Sequence, residues 1–162
     1  MAKNIELKDE KYLRKCIELA TESLEAGDAP FGSILVDKDG KIIAEGRNRA
    51  NELNVLAHPE VEMARWAADN LSAEEIATTT MYTSGEHCSM CSGAHGLVGI
   101  GTLVYLSSGE QLFEWQKEFG AAHSKLKYIK VEDVIKNVEV RGPSEGELLE
   151  EIKSIQKRFY QK

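Results

Sequence analysis

Three residues of the types that bind zinc stand in two short motifs, His58-Pro59-Glu60 and Cys88-Ser89-Met90-Cys91. One imidazole and two thiolates would supply three of the four ligands of a tetrahedral zinc ion. The fourth position would be left to water, as at catalytic zinc sites. Glu60 follows the imidazole by two residues, so its carboxylate is placed to handle the protons of that water. This spacing predicts a site for metal-assisted hydrolysis.

A closed, structural zinc site is the main alternative, and it would need a fourth protein ligand. His87 and His95 are the available candidates, and His95 shares a helix face with Cys91 at a spacing of four residues. A structural site does not need a carboxylate beside its histidine, so Glu60 favours the catalytic interpretation. Glu62 lies close by and is expected to be a secondary residue.

The composition predicts one globular domain over residues 1–162, with 42% hydrophobic residues available for a core. A net charge of −7 disfavours binding to a nucleic-acid backbone, which normally needs a basic face. Three cysteines are an odd count, which argues against a disulfide framework and for a reducing compartment. The sequence shows neither the apolar core of a signal peptide nor an apolar run of membrane-spanning length, so a cytoplasmic location is expected.

The elements that must position the two motifs alternate between helix and strand. Apolar residues at helical spacing predict a first helix that begins after Asp9, a good N-cap. Residues 33–36 and 41–44 are predicted to pair as a hairpin around a turn rich in Asp and Gly. The second helix is expected to open near His58, because Pro59 suits the first helical position.

Further along the chain we predict three more strands, over residues 79–83, 102–106 and 126–131. A third helix begins at about Cys88, a fourth spans 110–119, and Ser144 with Glu147 forms a capping box for the last helix. This order predicts a five-stranded mixed sheet with helices on both faces, an α/β fold with three layers. A helix between the fourth and fifth strands implies that they run parallel.

The pairing of H-x-E with C-x-x-C resembles the zinc-dependent nucleobase and nucleoside deaminases of the cytidine deaminase-like superfamily. The resemblance covers residues 30–106 and implies the cytidine deaminase-like α/β/α sandwich. It also implies one zinc ion per chain on the histidine and the two cysteines, and hydrolytic release of ammonia. Glu60 would then move protons between water, the ring nitrogen and the leaving amine. Within the superfamily, the helical crossover is similar to the branch that acts on free bases and on tRNA.

The resemblance also implies substrate contacts. Phe31 matches a family segment whose aromatic ring lines the base pocket, and simple core packing is an equally good interpretation of it. Asn48 matches the family asparagine that hydrogen-bonds substrate from the loop after the second strand. The backbone N–H groups near Gly85 and Glu86 could contact the ring or the leaving group.

Several aromatic residues have two open interpretations. His95 is expected to be buried and hydrogen-bonded, with a place in the pocket wall as the alternative. Phe113 and Trp115 follow the fourth strand, where family members build a specificity wall, but core packing is favoured for Leu112, Phe113 and Phe119. The Phe159-Tyr160 end of the last helix could reach an active site in the same or a partner subunit. By resemblance, a homodimer through the third and fourth helices is expected.

Three functions therefore stay open. The favoured one is a hydrolase of a free nucleobase or related small heterocycle, of guanine or cytosine type. The second is a tRNA adenosine deaminase, which would need a basic surface. The third is a zinc-stabilised binding protein without catalysis, which has no use for Glu60. Because charges of both signs mix in the last helix and the chain is acidic, we expect a small-molecule substrate, no nucleic acid and no membrane.

Overall fold

The computed structural model describes residues 2–161, and within that range the chain forms six α-helices and five β-strands. The helices are α1 (Glu10–Glu25), α2 (Pro59–Asn70), α3 (Ala73–Ala77), α4 (Ser89–Val98), α5 (Gly109–Glu118) and α6 (Glu147–Tyr160). The strands are β1 (Gly32–Val36), β2 (Ile42–Arg47), β3 (Thr80–Gly85), β4 (Thr102–Ser107) and β5 (Glu139–Arg141). Within this part of the chain, no helix combines the length and the apolar character needed to cross a bilayer.

The five strands form one mixed sheet in the order β2-β1-β3-β4-β5. Strand β1 is antiparallel to both β2 and β3, while β3, β4 and β5 run parallel. The hairpin needs only a tight turn, whereas each parallel pair needs a crossover. Helix α4 links β3 to β4, and α5 lies in the connection from β4 to β5. The predicted mixed sheet and the parallel last pair are confirmed.

Side chains of the central strands alternate between two separate cores, as the pleat of a strand requires. Tyr82 and Val104 face one core, and their neighbours Met81 and Leu103 face the other. Helices α1, α5 and α6 cover the first face, and α2, α3 and α4 cover the second. The three-layer α/β/α arrangement predicted from the order of elements is confirmed.

The position of the fifth strand was predicted wrongly. Strand β5 is Glu139–Arg141, whereas residues 126–131 lie outside the sheet. The apolar side chains that suggested a strand there stay between 40% and 50% exposed at Leu126, Tyr128 and Ile129. The place beside β4 is taken by the segment that carries Arg141, whose side chain has a buried partner at the start of α1.

The start of the last helix also differs from the prediction. Helix α6 begins at Glu147 after Gly146, whose φ of 69° is one that glycine adopts readily. The predicted cap residue, Ser144, instead donates from its hydroxyl and its backbone N–H to the carbonyl of Leu106, at 3.2 and 2.9 Å. Helix α3 was not predicted, although Ser72 and Glu75 form the capping box that signals it.

Asp9 stands before α1 as predicted, but its carboxylate holds Arg141 instead of capping the helix. Arg141 donates from Nε and Nη2 to the two Asp9 oxygens at 2.9 and 2.8 Å. The Tyr82 hydroxyl donates to the same carboxylate at 2.7 Å. Burial alone would raise the pKa of Asp9, but these hydrogen bonds and one from the Glu6 backbone N–H lower it overall. This buried pair fastens β5 to the start of α1.

Replacing Arg141 with methionine is expected to lower the free energy of unfolding by about 3–5 kcal/mol, because the Asp9 charge would stay buried without its partner. Since the folded-state pKa of Asp9 is lowered, the pair stabilises the protein above about pH 4, and this stabilisation is lost as the pH falls through the folded-state pKa. The difference in free energy of unfolding between the wild-type protein and the variant should therefore become smaller in acid. Urea unfolding of the metal-free wild-type and variant proteins at pH 7 and below pH 4 measures both effects, since acid would release zinc from its histidine and thiolate ligands. Lys3→Met is the control, since its ion pair with Glu139 is exposed and should contribute less than about 1 kcal/mol.

Candidate active site

Two helix N-termini converge beneath the sheet and carry the residues of both motifs. His58 is the N-cap residue of α2, and Pro59 occupies the first helical position. Cys88 is the N-cap residue of α4, and Cys91 lies in its first turn. The two helices pack together on one face of the sheet, which brings their first turns close. The free N–H groups and the helix dipole at these ends favour thiolate over thiol.

The three ligand atoms have the separations of a tetrahedral zinc site. Nδ1 of His58 lies 3.7 Å from Sγ of Cys88 and 3.6 Å from Sγ of Cys91, and all three atoms lie within 4.8 Å of one another. With Zn–N and Zn–S bonds of about 2.0 and 2.3 Å at a tetrahedral angle, the N···S separation would be about 3.5 Å. The residues therefore fit a zinc ion, and their donor set of one nitrogen and two sulfurs suits this metal.

A fourth protein ligand is not part of this cluster within residues 2–161. His87 and His95, the two candidates, are both buried and contact each other, with Nε2 of His87 3.0 Å from Nδ1 of His95. Their remaining ring nitrogens have no hydrogen-bond partner among the described residues. The geometry is that of a three-ligand site with one open position, which is the arrangement of catalytic zinc.

Burial and the contact between the two thiols shift the pKa values of Cys88, Cys91 and Glu60. The hydrogen bond with Cys91 lowers the pKa of the Cys88 thiol to about 4, and the same contact together with burial raises the pKa of Cys91. Cys88 therefore offers an anionic sulfur at neutral pH. Burial raises the pKa of the Glu60 carboxyl, which makes this residue a better proton acceptor.

The Glu60 side chain is 5% exposed and is held at both oxygens. The hydroxyl of Thr83 donates to Oε1 at 3.1 Å, and the hydroxyl of Ser33 lies 3.4 Å from the same oxygen. Ser33 in turn donates to Thr83 at 2.9 Å across the β1–β3 pair. The other oxygen, Oε2, accepts from Cys91 at 3.3 Å. One oxygen is thus anchored to the sheet while the other faces the metal-binding residues.

Thr83→Val is expected to lower kcat about tenfold, because it removes a hydrogen bond to a charged group and lets the Glu60 carboxylate turn. KM and zinc content should change little, since the hydroxyl does not hold metal. Thr83→Ser keeps the hydroxyl and should restore most of the rate. Steady-state kinetics on the two variants make the comparison. A Thr83→Ser rate as low as that of Thr83→Val would mean that side-chain shape, and not the hydroxyl, is what matters.

A cavity of about 620 Å³ opens beside this cluster. His58, Glu60 and Cys88 line it, and so do the predicted substrate contacts Phe31 and Asn48. Oδ1 of Asn48 accepts from the backbone N–H of Ala50 at 2.9 Å, which orients the amide and leaves Nδ2 as the donor for a ligand. The structure brings these predicted site residues to one place.

Gly85 and Glu86 were predicted to contact substrate through their backbone N–H groups, and the structure shows other contacts for both residues. Gly85 packs against Phe31, and a Cβ at position 85 would stand 3.2 Å from the Phe31 ring. The Glu86 N–H donates to the carbonyl of Ser107 at 2.8 Å and so is already engaged. The Glu86 side chain does line the cavity, and its carboxylate accepts hydrogen bonds from three other groups of the chain.

The aromatic residues of the two C-terminal helices divide between the core and the cavity. Phe119 is buried in the core, as predicted, and so is Trp115, for which both interpretations were open. Phe113 is 43% exposed and lines the cavity, so the prediction of core packing was wrong for it. It lies on the outer side of α5, where its ring stacks on His123. Tyr160 lines the cavity of its own chain, and its hydroxyl accepts from Nε2 of Gln116 at 2.9 Å.

The sequence-based interpretation missed the residues that hold Glu60 in place. Ser33 and Thr83 are fully buried hydroxyls inside apolar strands. Buried polar groups need partners, so their presence in such strands was a usable signal. It also missed that residues 123–129 contribute to the cavity, because their apolar residues suggested a strand.

Comparisons with known proteins agree with this geometry. The profile of the cytidine and deoxycytidylate deaminase zinc-binding region matches residues 6–107. The chain is 31% identical over 140 residues to a probable cytosine deaminase of Schizosaccharomyces pombe, with 84% of each chain covered. It is 44% identical over 87 residues to the guanine deaminase of Bacillus subtilis, covering 52% of this chain and 55% of that one. A tRNA-specific adenosine deaminase of Haemophilus influenzae is 37% identical over 87 residues, covering 53% of this chain and 50% of its own.

A solved structure supports the fold over nearly the whole chain. The guanine deaminase from Nitrosomonas europaea superposes with a TM-score of 0.71 at 19% identity, covering 99% of this chain and 87% of the other. At that identity the likeness shows the shared fold and leaves the substrate open. The profile match and the Schizosaccharomyces relative show that this chain is a zinc-dependent hydrolytic deaminase of the cytidine and deoxycytidylate deaminase zinc-binding family.

Proposed function

We propose that the protein is a single-domain deaminase of a free nucleobase, of guanine or cytosine type, or of a comparably small aminated heterocycle. The observation that carries this proposal is the cavity of about 620 Å³ beside Glu60 and the three metal-binding atoms. Its volume lies in the range of small-molecule sites. Aromatic and aliphatic side chains such as Phe31, Leu112 and Phe113 supply surfaces for a flat ring.

In this proposal His58, Cys88 and Cys91 hold one zinc ion per chain. When bound, zinc lowers the pKa of a water molecule, so that hydroxide is available near neutral pH. Glu60 accepts a proton from the water at Oε2, and it delivers protons to the ring nitrogen and to the leaving amine. Base and water are thereby converted to a ring carbonyl and ammonia. Thr83 keeps the carboxylate in place through Oε1.

Two further side chains would recognise the ring. Because the backbone engages Oδ1 of Asn48, its Nδ2 group is the one that would bind substrate. Nδ2 is a donor, so the substrate would present a carbonyl oxygen or ring nitrogen as acceptor. The Phe31 ring lines the cavity beside the metal-binding residues, and the missing side chain at Gly85 leaves room for it. Together these groups would fix the ring so that its amine-bearing carbon faces Glu60.

The tRNA alternative rests on the tRNA-specific relatives and is disfavoured by charge. Among the described residues that line the cavity, Lys127 is the only lysine or arginine, against the carboxylates of Glu60, Glu86 and Glu110. The whole chain carries a net charge of −7. Binding of an RNA backbone draws most of its affinity from basic side chains, which this cavity does not concentrate.

The test is a screen for ammonia release from purines, pyrimidines, their nucleosides and triazines by the zinc-loaded protein. Release from at least one free base, lost in Glu60→Gln, is the expected result. A tRNA anticodon stem-loop is included in the screen. Inosine formation in that RNA, with binding that weakens steeply as salt is raised, would instead establish the tRNA function.

We also propose a homodimer and a cytoplasmic location. The homodimer rests on the family resemblance, which implies an interface through the helices that are α4 and α5 of the structure. Leu97 on α4 is 91% exposed, which leaves an apolar residue at that interface. The location rests on Cys16, Cys88 and Cys91, none of which forms a disulfide within the described residues. Light scattering after size-exclusion chromatography tests the first, and a chain mass of 18.0 kDa sets the monomer value.

A further inference from the structure

One wall of the cavity consists of residues 121–130, called here the wall segment, which connect α5 to the turn Val131–Asp133. This segment is neither helix nor strand, so the backbone ladder of the sheet does not hold it. Six of its residues line the cavity: His123, Ser124, Leu126, Lys127, Tyr128 and Ile129. What fixes the segment must therefore be its contacts with other parts of the chain.

One of those contacts is made to the carboxylate of Glu86, which also accepts hydrogen bonds from the residue just after the segment and from the start of α5. The Tyr128 hydroxyl donates to Oε1 of Glu86 at 2.9 Å, and the backbone N–H of Val131 donates to Oε2 at 3.1 Å. The N–H of Gly109, at the start of α5, donates to Oε1 at 2.9 Å. Hydrogen bonds to an ionised acceptor are stronger than neutral ones. Glu86 lies two residues before Cys88, so this carboxylate ties the wall segment directly to the metal-binding region.

Gly109 adds a second, independent contact at the same point. A Cβ at this position would collide with Cε1 and Cδ1 of the Tyr128 ring. Gly109 is not among the residues with positive φ in the described chain, so its backbone does not call for glycine. The absent side chain instead makes room for the Tyr128 ring over the first turn of α5.

The opposite end of the wall segment is held by a different contact. His123 stacks on Phe113, with ring centroids 4.2 Å apart and an angle of 18° between the planes. Phe113 belongs to α5, and its ring is 43% exposed. The segment is thus held at both ends, to α5 through His123 and to the residue before the α4 cap through Tyr128, and the half-buried Glu86 carboxylate lies at the end nearer to the metal-binding residues.

We propose that Glu86, Gly109 and Tyr128 form a latch that holds the wall segment against the site and so limits the size of the substrate. With the latch closed, the cavity accepts a free base; with it loosened, the segment moves outward and a base carrying ribose can enter. This inference rests on the proposed function, because it concerns which ring-containing substrates reach Glu60. It makes these three residues determinants of specificity that do not take part in the chemical step.

The latch itself is tested without substrate by amide hydrogen exchange of the zinc-loaded protein. In Glu86→Gln the amides of Gly109 and Val131 should exchange roughly tenfold faster, as expected when hydrogen bonds to a charged acceptor are lost. Gly109→Ala should release the same amides by displacing the Tyr128 ring. In a Tyr128→Ala background the Gly109→Ala change should add no further effect, because the colliding ring is gone. Unchanged exchange in Glu86→Gln would overturn the latch.

Size selection is tested with a base from the screen and its ribonucleoside. In Tyr128→Phe and Gly109→Ala the ratio of kcat/KM for nucleoside to that for base should rise about tenfold, mainly through KM. Glu114→Gln, on the same helix, is the control and should leave the ratio unchanged. A ratio that stays constant although the amides exchange faster would overturn the size limit. Failure of the wild-type protein to release ammonia from any compound would instead refute the proposed function, and amide exchange alone would then decide on the latch.

Discussion

Glu60→Gln is expected to lower the rate of ammonia release roughly 10²–10⁴-fold while the protein stays folded and keeps its zinc. The glutamine has the size of the glutamate and still accepts the hydrogen bond from Thr83, so the local packing survives. What it lacks is the ability to take up a proton and deliver it, and that function contributes a factor of this size in general acid–base catalysis. Initial rates on the best substrate of the screen, with metal content by mass spectrometry, give both values.

The control for this variant is Glu62→Gln. Glu62 lies in the first turn of the same helix and is partly exposed, so the two changes remove the same charge from neighbouring positions. Glu62→Gln should keep most of the activity. A Glu60→Gln protein with wild-type turnover would show that another group moves the proton, and Glu62 would be the next residue to test.

Cys88→Ala and Cys91→Ala are each expected to lose most of the zinc and to lower Tm by roughly 10 °C or more. Metal binding is coupled to folding, so a lost ligand removes several kcal/mol of stability, and 1 kcal/mol corresponds to about 2–4 °C at this chain length. The decrease in Tm should be largest for Cys91→Ala, because Cys91 is fully buried and also contacts Glu60. Zinc content and thermal unfolding of the dialysed proteins measure the effect.

Cys16→Ala is the matched control for the ligand variants. Cys16 is also fully buried, but it belongs to the core formed with α1, and burial raises the pKa of its thiol. Its replacement should leave the zinc in place and reduce stability only through a small cavity. Full zinc occupancy in Cys88→Ala would contradict the assignment of the metal ligands.

Predictability from sequence was highest where the chemistry is local. A histidine with a glutamate two residues later, and two cysteines on one helix face, are short patterns whose meaning depends on few neighbours. The alternation of helices and strands was also local, and it was enough for the three-layer sandwich and the parallel last pair of strands. These features follow from residue type and short-range periodicity.

Contacts between distant parts of the chain were beyond such patterns. Arg141 lies in the fifth strand, and its partner Asp9 lies 132 positions earlier in the chain. Ser33 and Thr83, which lie 50 residues apart, come together only when β1 and β3 pair. Propensity alone therefore favoured residues 126–131 as a strand, although tertiary contacts place them elsewhere.

The sequence by itself determined that this protein is built around a zinc site with a carboxylate beside it, because the residue types and spacings of two short motifs suffice for that chemistry. Only the tertiary structure decided the shape of the cavity around the site. The position of the wall segment depends on a glutamate from the β3–α4 junction, a glycine at the start of α5 and a tyrosine in the segment itself. Such a convergence leaves no periodic trace in the sequence, since each residue belongs to a different part of the chain.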